Sequence, residues 1–248
     1  MQRLAIIGGT GLTSISDLHI TNNQAVETPY GSTSAAFSHG ELAGKEIVFL
    51  ARHGNNHTIP PHKINYRANI WALQNIGITH VIAVAAVGGI HLNIPPKKIV
   101  IPDQVIDYTY SRKQTFFDND LEHVTHIDFT HPYCNDLRIV MLQAAKDLKL
   151  DVFDGGTYGA TQGPRLETAA EVNRLEKDGC DIIGMTGMPE ATLAKELGLC
   201  YATCALSVNW AAGRGESEIT MVEIDQAIEE GMGAVKQLIA ASIKLFSK

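Results

Sequence analysis

The sequence has few basic residues and no long apolar run. Its 20 lysines and arginines are outnumbered by 27 aspartates and glutamates, for a formal net charge of -7. Because proteins that bind nucleic acids need a basic face to neutralise phosphates, this balance argues against a nucleic-acid partner. No apolar stretch approaches the roughly 20 residues that span a bilayer, so no membrane partner is expected. A small anionic ligand needs only a few local donors and is compatible with this composition.

Cysteine is also scarce, with four residues, at positions 134, 180, 200 and 204. They form no CxxC pair and have no spacing typical of a zinc site, so no bound metal is expected. The pattern favours reduced thiols that pack as small hydrophobic groups in a cytoplasmic protein. The apolar segment at the N-terminus runs into glycines after residue 7 and is too short for a secretory signal, which also predicts a cytoplasmic protein.

The order of apolar and polar segments predicts an α/β fold. Hydrophobic residues make up 45% of the 248 residues, enough for a sizeable core. Strands are predicted over residues 4–7, 46–51, 81–87, 98–102, 105–107, 152–158, 181–185 and 201–208, and helices over residues 65–75, 137–148, 168–178, 189–197 and 221–246. This alternation implies a mixed or parallel sheet flanked by helices. No repeat or linker interrupts it, and residues 1–248 are therefore predicted to form one domain.

Polar residues follow two of the early strands at their carboxyl ends, the edge where ligands of open α/β sheets bind. The segment GGTG (residues 8–11) offers backbone amides and the Thr10 hydroxyl to an anion, although by itself it fits a simple tight turn better. It matches neither a dinucleotide fingerprint nor a P-loop. Arg52 is suited to a forked contact with phosphate, and His53 to a further hydrogen bond. A surface ion pair for Arg52 and a packing or capping role for His53 are equally good interpretations.

Three later turns carry further candidates. Glu167, in GPRLET (residues 163–168), would accept a hydrogen bond from a purine ring N–H or would cap the following helix. Thr186, in MTGMPE (residues 185–190), would bind a ligand or serve as an ordinary helix cap. Asn209, in SVNW (residues 207–210), both donates and accepts hydrogen bonds, but an isolated asparagine there is more often a turn former.

Taken together and in this order, these segments resemble the trimeric purine nucleoside phosphorylase family over nearly the whole chain. ARHG (residues 51–54) followed by NYRANIWAL (residues 65–73) is close to the methylthioadenosine phosphorylase branch of that family. The resemblance implies a nucleoside phosphorylase-like fold with a central mixed sheet flanked by helices. It also implies a homotrimer that cleaves a purine nucleoside with inorganic phosphate as co-substrate and needs no cofactor.

The resemblance implies a role for each candidate on the phosphate and sugar side. The phosphate would be bound by Thr10, Arg52, His53 and Thr186. Met185 would contact the ribose through its backbone amide, although methionines at 185 and 188 would ordinarily be assigned to the core. Ala85 stands where the family has a threonine of the phosphate or ribose site, so one side-chain donor is missing.

On the base side, the resemblance assigns Glu167 and Asn209 to the leaving purine and counts them, with His53, as catalytic. Leu166 takes the position of a phenylalanine that packs on the base. His126 resembles a residue that reaches into the site of a neighbouring subunit. Near the start of the last helix, Met221 and Ile224 would line the pocket for the 5' substituent.

Two departures from the branch bear on the substrate. Asn209 and Ala211 replace two aspartates of methylthioadenosine phosphorylases, and a Glu–Asn pair is what 6-oxopurine nucleoside phosphorylases use. Buried polar groups that are left unpaired by the wrong ligand discriminate by about 10⁴-fold or more. In addition, residues 219–224 contain no histidine for a 5'-hydroxyl, and an apolar pocket prefers a methylthio group. The resemblance therefore implies phosphorolysis of S-methyl-5'-thioinosine to hypoxanthine and 5-methylthioribose 1-phosphate.

Several alternatives stay open at this point. The nearest is a broader 6-oxopurine nucleoside phosphorylase that acts on inosine and guanosine, followed by a methylthioadenosine phosphorylase. A hydrolase that releases free sugar would leave Arg52 and His53 without a purpose. A purine-binding module without catalytic activity belongs to a different class, and detectable turnover would exclude it.

Overall fold

A computed structural model describes residues 2–12, 18–119 and 122–246 of the chain. Its strands are β1 Leu4–Gly8, β2 His19–Gln24, β3 Phe37–Leu42, β4 Lys45–Ala51, β5 His80–Gly89, β6 Ile99–Ile101, β7 Gln104–Asp107, β8 Val152–Asp154, β9 Thr157–Ala160, β10 Ile182–Gly184 and β11 Cys200–Trp210. The helices are α1 Tyr66–Asn75, α2 Asn135–Asp147, α3 Ala169–Lys177, α4 Gly187–Glu196 and α5 Met221–Leu245, and a short 3-10 turn spans Pro61–Lys63. Within these described ranges, no helix is long and apolar enough to cross a membrane.

The strands form one mixed sheet with β5 at its centre. Its main path runs β2-β3-β4-β1-β5-β10-β9-β7, and β11 pairs with β5 and with β6, which in turn pairs with β8. β1 is parallel to β4 and β5, and β11 is parallel to β5. β10 runs antiparallel to β5, and β3 runs antiparallel to β4. The mixed sheet flanked by helices agrees with the sequence-based prediction.

Alternation along the central strands supplies both faces of the sheet with apolar side chains. Leu4 and Ile6 of β1 pack in one core with residues of α2 and α5. Ala5 and Ile7 pack in a second core with residues of α1 and α4. Because successive side chains of a strand point to opposite faces, one five-residue strand stabilises both layers.

Two strands at the edge were not predicted. β2 (HITNNQ) is almost entirely exposed, and β3 (FSHGEL) has only three buried residues. Their polar composition gives little of the hydrophobic signal from which strands are recognised. The single strand predicted over residues 152–158 is divided into β8 and β9, because Gly155 and Gly156 adopt φ values of 88° and 95°.

The cysteines also differ from expectation. Cys134, just before α2, and Cys200, the first residue of β11, form a disulfide with a Cα–Cα distance of 5.1 Å. The prediction of reduced thiols is therefore wrong for this pair, and it agrees with the structure for Cys180 and Cys204, which are free and buried. The pairing depends on the packing of α2 against β11 across a sequence separation of 66 residues, which cysteine spacing does not reveal.

Candidate active site

The carboxyl ends of β1, β4, β5, β10 and β11 surround an open cleft with about 790 Å³ of empty space, which includes space open to solvent. Ten of the twelve predicted site residues line this cleft, namely Thr10, Arg52, His53, Ala85, Leu166, Glu167, Met185, Thr186, Asn209 and Ile224. The fold thus brings together residues that are up to 214 positions apart (10 to 224). Met221 and His126 are the two that lie elsewhere.

Arg52 is fixed at the floor of the cleft by a buried ion pair. Its Nε and Nη2 donate to the two carboxylate oxygens of Glu190, each at 2.7 Å, and its Nη1 donates to the Val84 carbonyl at 2.7 Å. The side chains of Arg52 and Glu190 are only 1% and 0% exposed. Tyr201 donates a further hydrogen bond of 2.8 Å to Glu190. The surface ion pair considered for Arg52 is therefore wrong.

In this arrangement the Arg52 guanidinium stays charged, and two of its N–H groups make no hydrogen bond to the described part of the protein. Burial by itself would lower the pKa of Arg52, but the charge and hydrogen bonds of Glu190 outweigh it and raise that pKa above its ordinary value. A guanidinium has five N–H groups, and three are used, so one on each Nη remains for an anion in the cleft. A Cβ on Gly9 would stand 3.0 Å from Nη1 and 2.5 Å from the Val84 oxygen, so glycine is what permits the β1 turn to approach Arg52.

His53 faces the same end of the cleft in its neutral form. Its Nδ1 lies 2.8 Å from the carbonyl oxygen of Ile59, which only accepts, so Nδ1 carries the proton and Nε2 is left as an acceptor. Burial, with the nearby charge of Arg52, lowers the pKa of His53 to about 4. Nearby, the Thr10 hydroxyl lies 3.2 Å from Nε2 of His57.

Thr186 occupies the N-cap position of α4 without capping it. Its side chain makes no hydrogen bond to the helix, although the residue is only 8% exposed. The ordinary capping role considered from the sequence is therefore wrong, and the hydroxyl is available to the cleft. The neighbouring Met185 also lines the cleft, whereas Met188 packs in the core.

Glu167 is likewise not a helix cap. Thr168 caps α3, in a reciprocal capping box with Glu171, so the capping role considered for Glu167 is wrong. Instead, Oε1 of Glu167 accepts a hydrogen bond of 2.6 Å from the Thr161 hydroxyl. Its second carboxylate oxygen is left as an acceptor.

Asn209 lies at an irregularity of β11, where the register with β5 shifts between Ser207 and Asn209. Its Nδ2 donates to the Trp210 carbonyl at 2.7 Å. Since that carbonyl only accepts, the contact fixes which end of the amide is the nitrogen and leaves one N–H for a ligand.

One of the two residues predicted to line the pocket for the 5' substituent does not line the cleft. Ile224 lines the cleft and is 8% exposed, but Met221 is 64% exposed and does not line it. Met221 is the first residue of α5, directly after the cap Thr220, and Ile219 on the other side of the cap lines the cleft instead. Both wall residues are apolar, so the chemical expectation for this end is unchanged.

His126 is exposed and does not line the cleft of its own chain. Its proposed contact with a neighbouring subunit therefore stays a prediction. Sequence reasoning missed Glu190, Thr161 and Arg112, which orient cleft residues without lining the cleft themselves. Glu190 belongs to the quoted MTGMPE segment, but nothing in that pattern indicates a partner 138 positions away.

Comparison with known proteins agrees with this geometry. The Phosphorylase superfamily pattern matches residues 3–244, nearly the whole chain. The chain therefore belongs to the phosphorylase superfamily, as its motifs predicted.

Particular relatives narrow the comparison. The chain is 53% identical over 240 residues to a probable S-methyl-5'-thioinosine phosphorylase of Pseudomonas syringae pv. tomato, covering 97% of this chain and 98% of that protein. It is 44% identical over 255 residues to a 6-oxopurine nucleoside phosphorylase of Pyrococcus furiosus, covering 100% and 94%. The fold matches methylthioadenosine phosphorylase from Schistosoma mansoni in complex with adenine with a TM-score of 0.95 at 28% identity, covering 100% and 92%. The predicted fold class is thus confirmed.

Proposed function

We propose that this chain catalyses the phosphorolysis of S-methyl-5'-thioinosine to hypoxanthine and 5-methylthioribose 1-phosphate, a purine salvage reaction. Two free hydrogen-bonding groups carry the proposal. Thr161 occupies only one carboxylate oxygen of Glu167, which leaves an acceptor, and the Trp210 carbonyl occupies only one N–H of Asn209, which leaves a donor. A 6-oxopurine has the complementary ring N–H and carbonyl. A 6-aminopurine would set its amine donor against the Asn209 donor and offer Glu167 no ring N–H.

The sugar end supports the methylthio substituent. Ile219 and Ile224 form an apolar wall of the cleft, and a 5'-hydroxyl placed there would lose its hydration without a partner. The similarity to probable S-methyl-5'-thioinosine phosphorylases, at 53% and 49% identity, points the same way. The 44% identity to a 6-oxopurine nucleoside phosphorylase makes a broader specificity for inosine the second candidate.

In this proposal, phosphate occupies the Arg52 end of the cleft. The two free N–H groups of Arg52 and the hydroxyls of Thr10 and Thr186 donate to its oxygens. Because Ala85 has no side-chain donor, Thr186 or a backbone amide serves in its place. His53 contributes Nε2 as an acceptor, which fits the O–H of monohydrogen phosphate. The backbone amide of Met185 contacts the ribose, and Leu166 packs against the base.

The reaction breaks the bond between the sugar C1' and the purine nitrogen, and the purine departs with the electron pair. The sugar passes through an oxocarbenium-like state between two anions, and a phosphate oxygen then bonds to C1'. The proton that monohydrogen phosphate loses on becoming the sugar phosphate balances the one that the purine anion gains to become hypoxanthine. Glu167 and Asn209 hold the purine as its negative charge grows. Preorganised donors of this kind are worth on the order of 10²–10³ in rate for each group removed.

We further propose that the enzyme works in the cytoplasm as a homotrimer, with His126 of one subunit reaching the cleft of the next. Several apolar side chains are unusually exposed in the single chain, including Leu166 at 42% and Val124 at 76%. Exposed apolar surface beside a site commonly marks a subunit interface.

A side-by-side assay tests the substrate. Methylthioinosine, inosine and methylthioadenosine are incubated with the protein, with and without phosphate, and free base and sugar phosphate are quantified. We expect methylthioinosine to give by far the highest kcat/KM, methylthioadenosine the lowest, and no turnover without phosphate. Equal efficiency on inosine would favour the broader phosphorylase, and phosphate-independent release of the base would favour a hydrolase.

A further inference from the structure

Beyond the sheet, two described segments that line the cleft make no backbone hydrogen bond to each other. We define the base loop as residues 161–167, which ends in Leu166 and Glu167, and the phosphate turn as residues 185–188, which carries Met185 and Thr186. They follow the parallel strands β9 and β10, which pair as far as Ala160 and Gly184. The last bond between them joins Thr161 N–H to the Gly184 carbonyl at 2.8 Å. Past that point, other groups must satisfy the carbonyls of both segments.

Arg112 donates to the carbonyls of both segments. Its Nη1 donates to the carbonyls of Met185 at 2.9 Å and Met188 at 2.6 Å, both in the phosphate turn. Its Nη2 donates to the carbonyls of Thr161 at 3.2 Å and Gln162 at 2.7 Å, both in the base loop.

The remaining donor of Arg112 completes the arrangement. Nε donates to the Gln162 side chain at 3.1 Å, and Nη1 also lies 3.3 Å from the Tyr66 hydroxyl. All five N–H groups of the guanidinium are therefore engaged by the protein, and none is left for a substrate. Arg112 accordingly acts through the residues it holds and not by contact with the reacting atoms.

We propose that Arg112 is the positioning residue that keeps the base loop and the phosphate turn at the separation that the reaction needs. The planar guanidinium of Arg112 donates to the phosphate turn through Nη1 and to the base loop through Nη2. The single ammonium group of a lysine cannot reproduce this geometry. The approach is tight, since a Cβ on Gly163 of the base loop would stand 2.4 Å from the Met185 sulfur. A small displacement of either segment therefore alters the distance between Glu167 and Thr186.

The role rests on the proposed function, since it assigns one segment to the base and the other to phosphate. The variants Arg112→Gln and Arg112→Lys test it. Arg138→Gln is a matched control, because Arg138 also donates to two backbone carbonyls, those of Pro102 at 3.0 Å and Ile101 at 3.2 Å, and has a side chain only 11% exposed. Arg138 does not line the cleft. Melting temperatures and circular dichroism establish that each variant is folded at the assay temperature.

The readouts are steady-state kinetics with methylthioinosine and the separate binding of hypoxanthine and of phosphate by calorimetry. We expect Arg112→Gln to lower kcat/KM by about 10²-fold, with a fall in kcat as well as a rise in KM. We expect both ligands to bind about tenfold more weakly, as for the loss of one well-placed hydrogen-bonding group. Arg112→Lys should recover only part of this loss, and Arg138→Gln should stay within about threefold of wild type in kcat/KM.

Weakening of only one ligand, or an Arg112→Gln enzyme no worse than the Arg138→Gln enzyme, would overturn the proposal. If Arg112→Gln does not fold, the same two binding measurements on Arg112→Lys decide. A wild-type protein that binds hypoxanthine and phosphate but does not cleave methylthioinosine would refute the proposed substrate only. The binding comparison would still test Arg112 in that case.

Discussion

Asn209 offers one N–H to a ligand because its other N–H is engaged by the Trp210 carbonyl. An aspartate at this position has only acceptors, so it would meet the lone pairs of an oxo base and repel the charge that develops on the departing purine. Both effects are larger in the transition state, so kcat should fall as well as affinity. Facing an exocyclic amine, the same carboxylate gains a charge-assisted hydrogen bond of roughly 1.5–3 kcal/mol.

We therefore expect Asn209→Asp, alone or with Ala211→Asp, to shift the ratio of kcat/KM toward methylthioadenosine by at least about tenfold. Absolute activity on methylthioadenosine should remain low, because adenine gives Glu167 no ring N–H. The measurement is kcat/KM for both nucleosides at saturating phosphate. Ala211→Asp alone shows how much of the shift in the double variant comes from residue 211, which also lines the cleft. An unchanged ratio would show that Asn209 does not distinguish the bases.

His53 predicts a pH dependence of stability. Its pKa in the folded protein is lowered to about 4 from an ordinary value of 6.5, mainly by burial. The unfolded chain therefore takes up a proton first as pH falls, and the folded state loses stability between these two values. From pH 7 to pH 5, His53 should lower the free energy of unfolding by about 1–2 kcal/mol. Urea unfolding at both pH values should show a smaller loss for His53→Gln than for wild type, and equal losses would contradict the assignment.

At the scale of secondary-structure elements, the sequence predicted what hydrophobic burial dictates. β5 and β11 are nearly continuous apolar runs because helices cover both faces of the sheet. The helix predicted over residues 168–178 agrees with α3, whose start is fixed by the Thr168–Glu171 capping box. β2 escaped prediction because an exposed edge strand needs few apolar residues. The roles of Glu190 and Arg112 were not predicted, because only the folded sheet brings these residues close to their partners.

The first turn of α5 offers a test of the apolar end of the cleft. Ile224 faces the cleft, while Val222, two residues earlier, is 76% exposed. Ile224→Thr replaces the γ1 methylene with a hydroxyl and removes the terminal methyl group, so the wall becomes both more polar and smaller. We therefore expect kcat/KM for methylthioinosine to fall, and the ratio of kcat/KM for inosine to kcat/KM for methylthioinosine to rise. The change in the ratio should be at least about tenfold, the lower end of what one methylene in a hydrophobic pocket is worth. Val222→Thr should leave the ratio unchanged, and equal ratios in the two variants would refute the apolar wall.

At the scale of the whole molecule, the Cys134–Cys200 disulfide closes a loop across 66 residues. Such a cross-link stabilises mainly by restricting the unfolded chain, by about 2–4 kcal/mol. The purified protein, denatured without reductant, should therefore react with two equivalents of maleimide, and with four after reduction. Burial raises the pKa of the Cys204 thiol to about 12, so labelling needs denaturation.

The stability measurement completes this test. Reductant should lower the free energy of unfolding of the wild-type protein by about 2–4 kcal/mol and leave a Cys134→Ser, Cys200→Ser double variant unaffected. Four reactive thiols in the denatured, unreduced protein would show that the bond does not form in solution. In the reducing cytoplasm disulfides are rare, so the same thiol count on protein trapped in cells also tests the proposed compartment.

The cleft of a single chain is open at its mouth, where Leu166 is 42% exposed. If His126 of a neighbouring subunit closes this mouth, the His126→Ala variant should lose about tenfold in kcat/KM for methylthioinosine. Because His126 is exposed within its own chain, the variant should still fold, and we expect it to remain a trimer in sedimentation analysis. A fully active monomer would contradict the trimer itself.

Mixed trimers separate a contact between subunits from one within a chain. Asn209→Ala removes a leaving-group donor and should cost on the order of 10²–10³ in rate. When the two variants are co-expressed, an Asn209→Ala chain can place its intact His126 in the cleft of a neighbouring His126→Ala chain. That cleft keeps its own Asn209. Some clefts in the mixture then regain both groups, so its specific activity should exceed the weighted average of the two parent enzymes. A histidine that acted within its own chain would give only that average, since no chain in the mixture carries both residues.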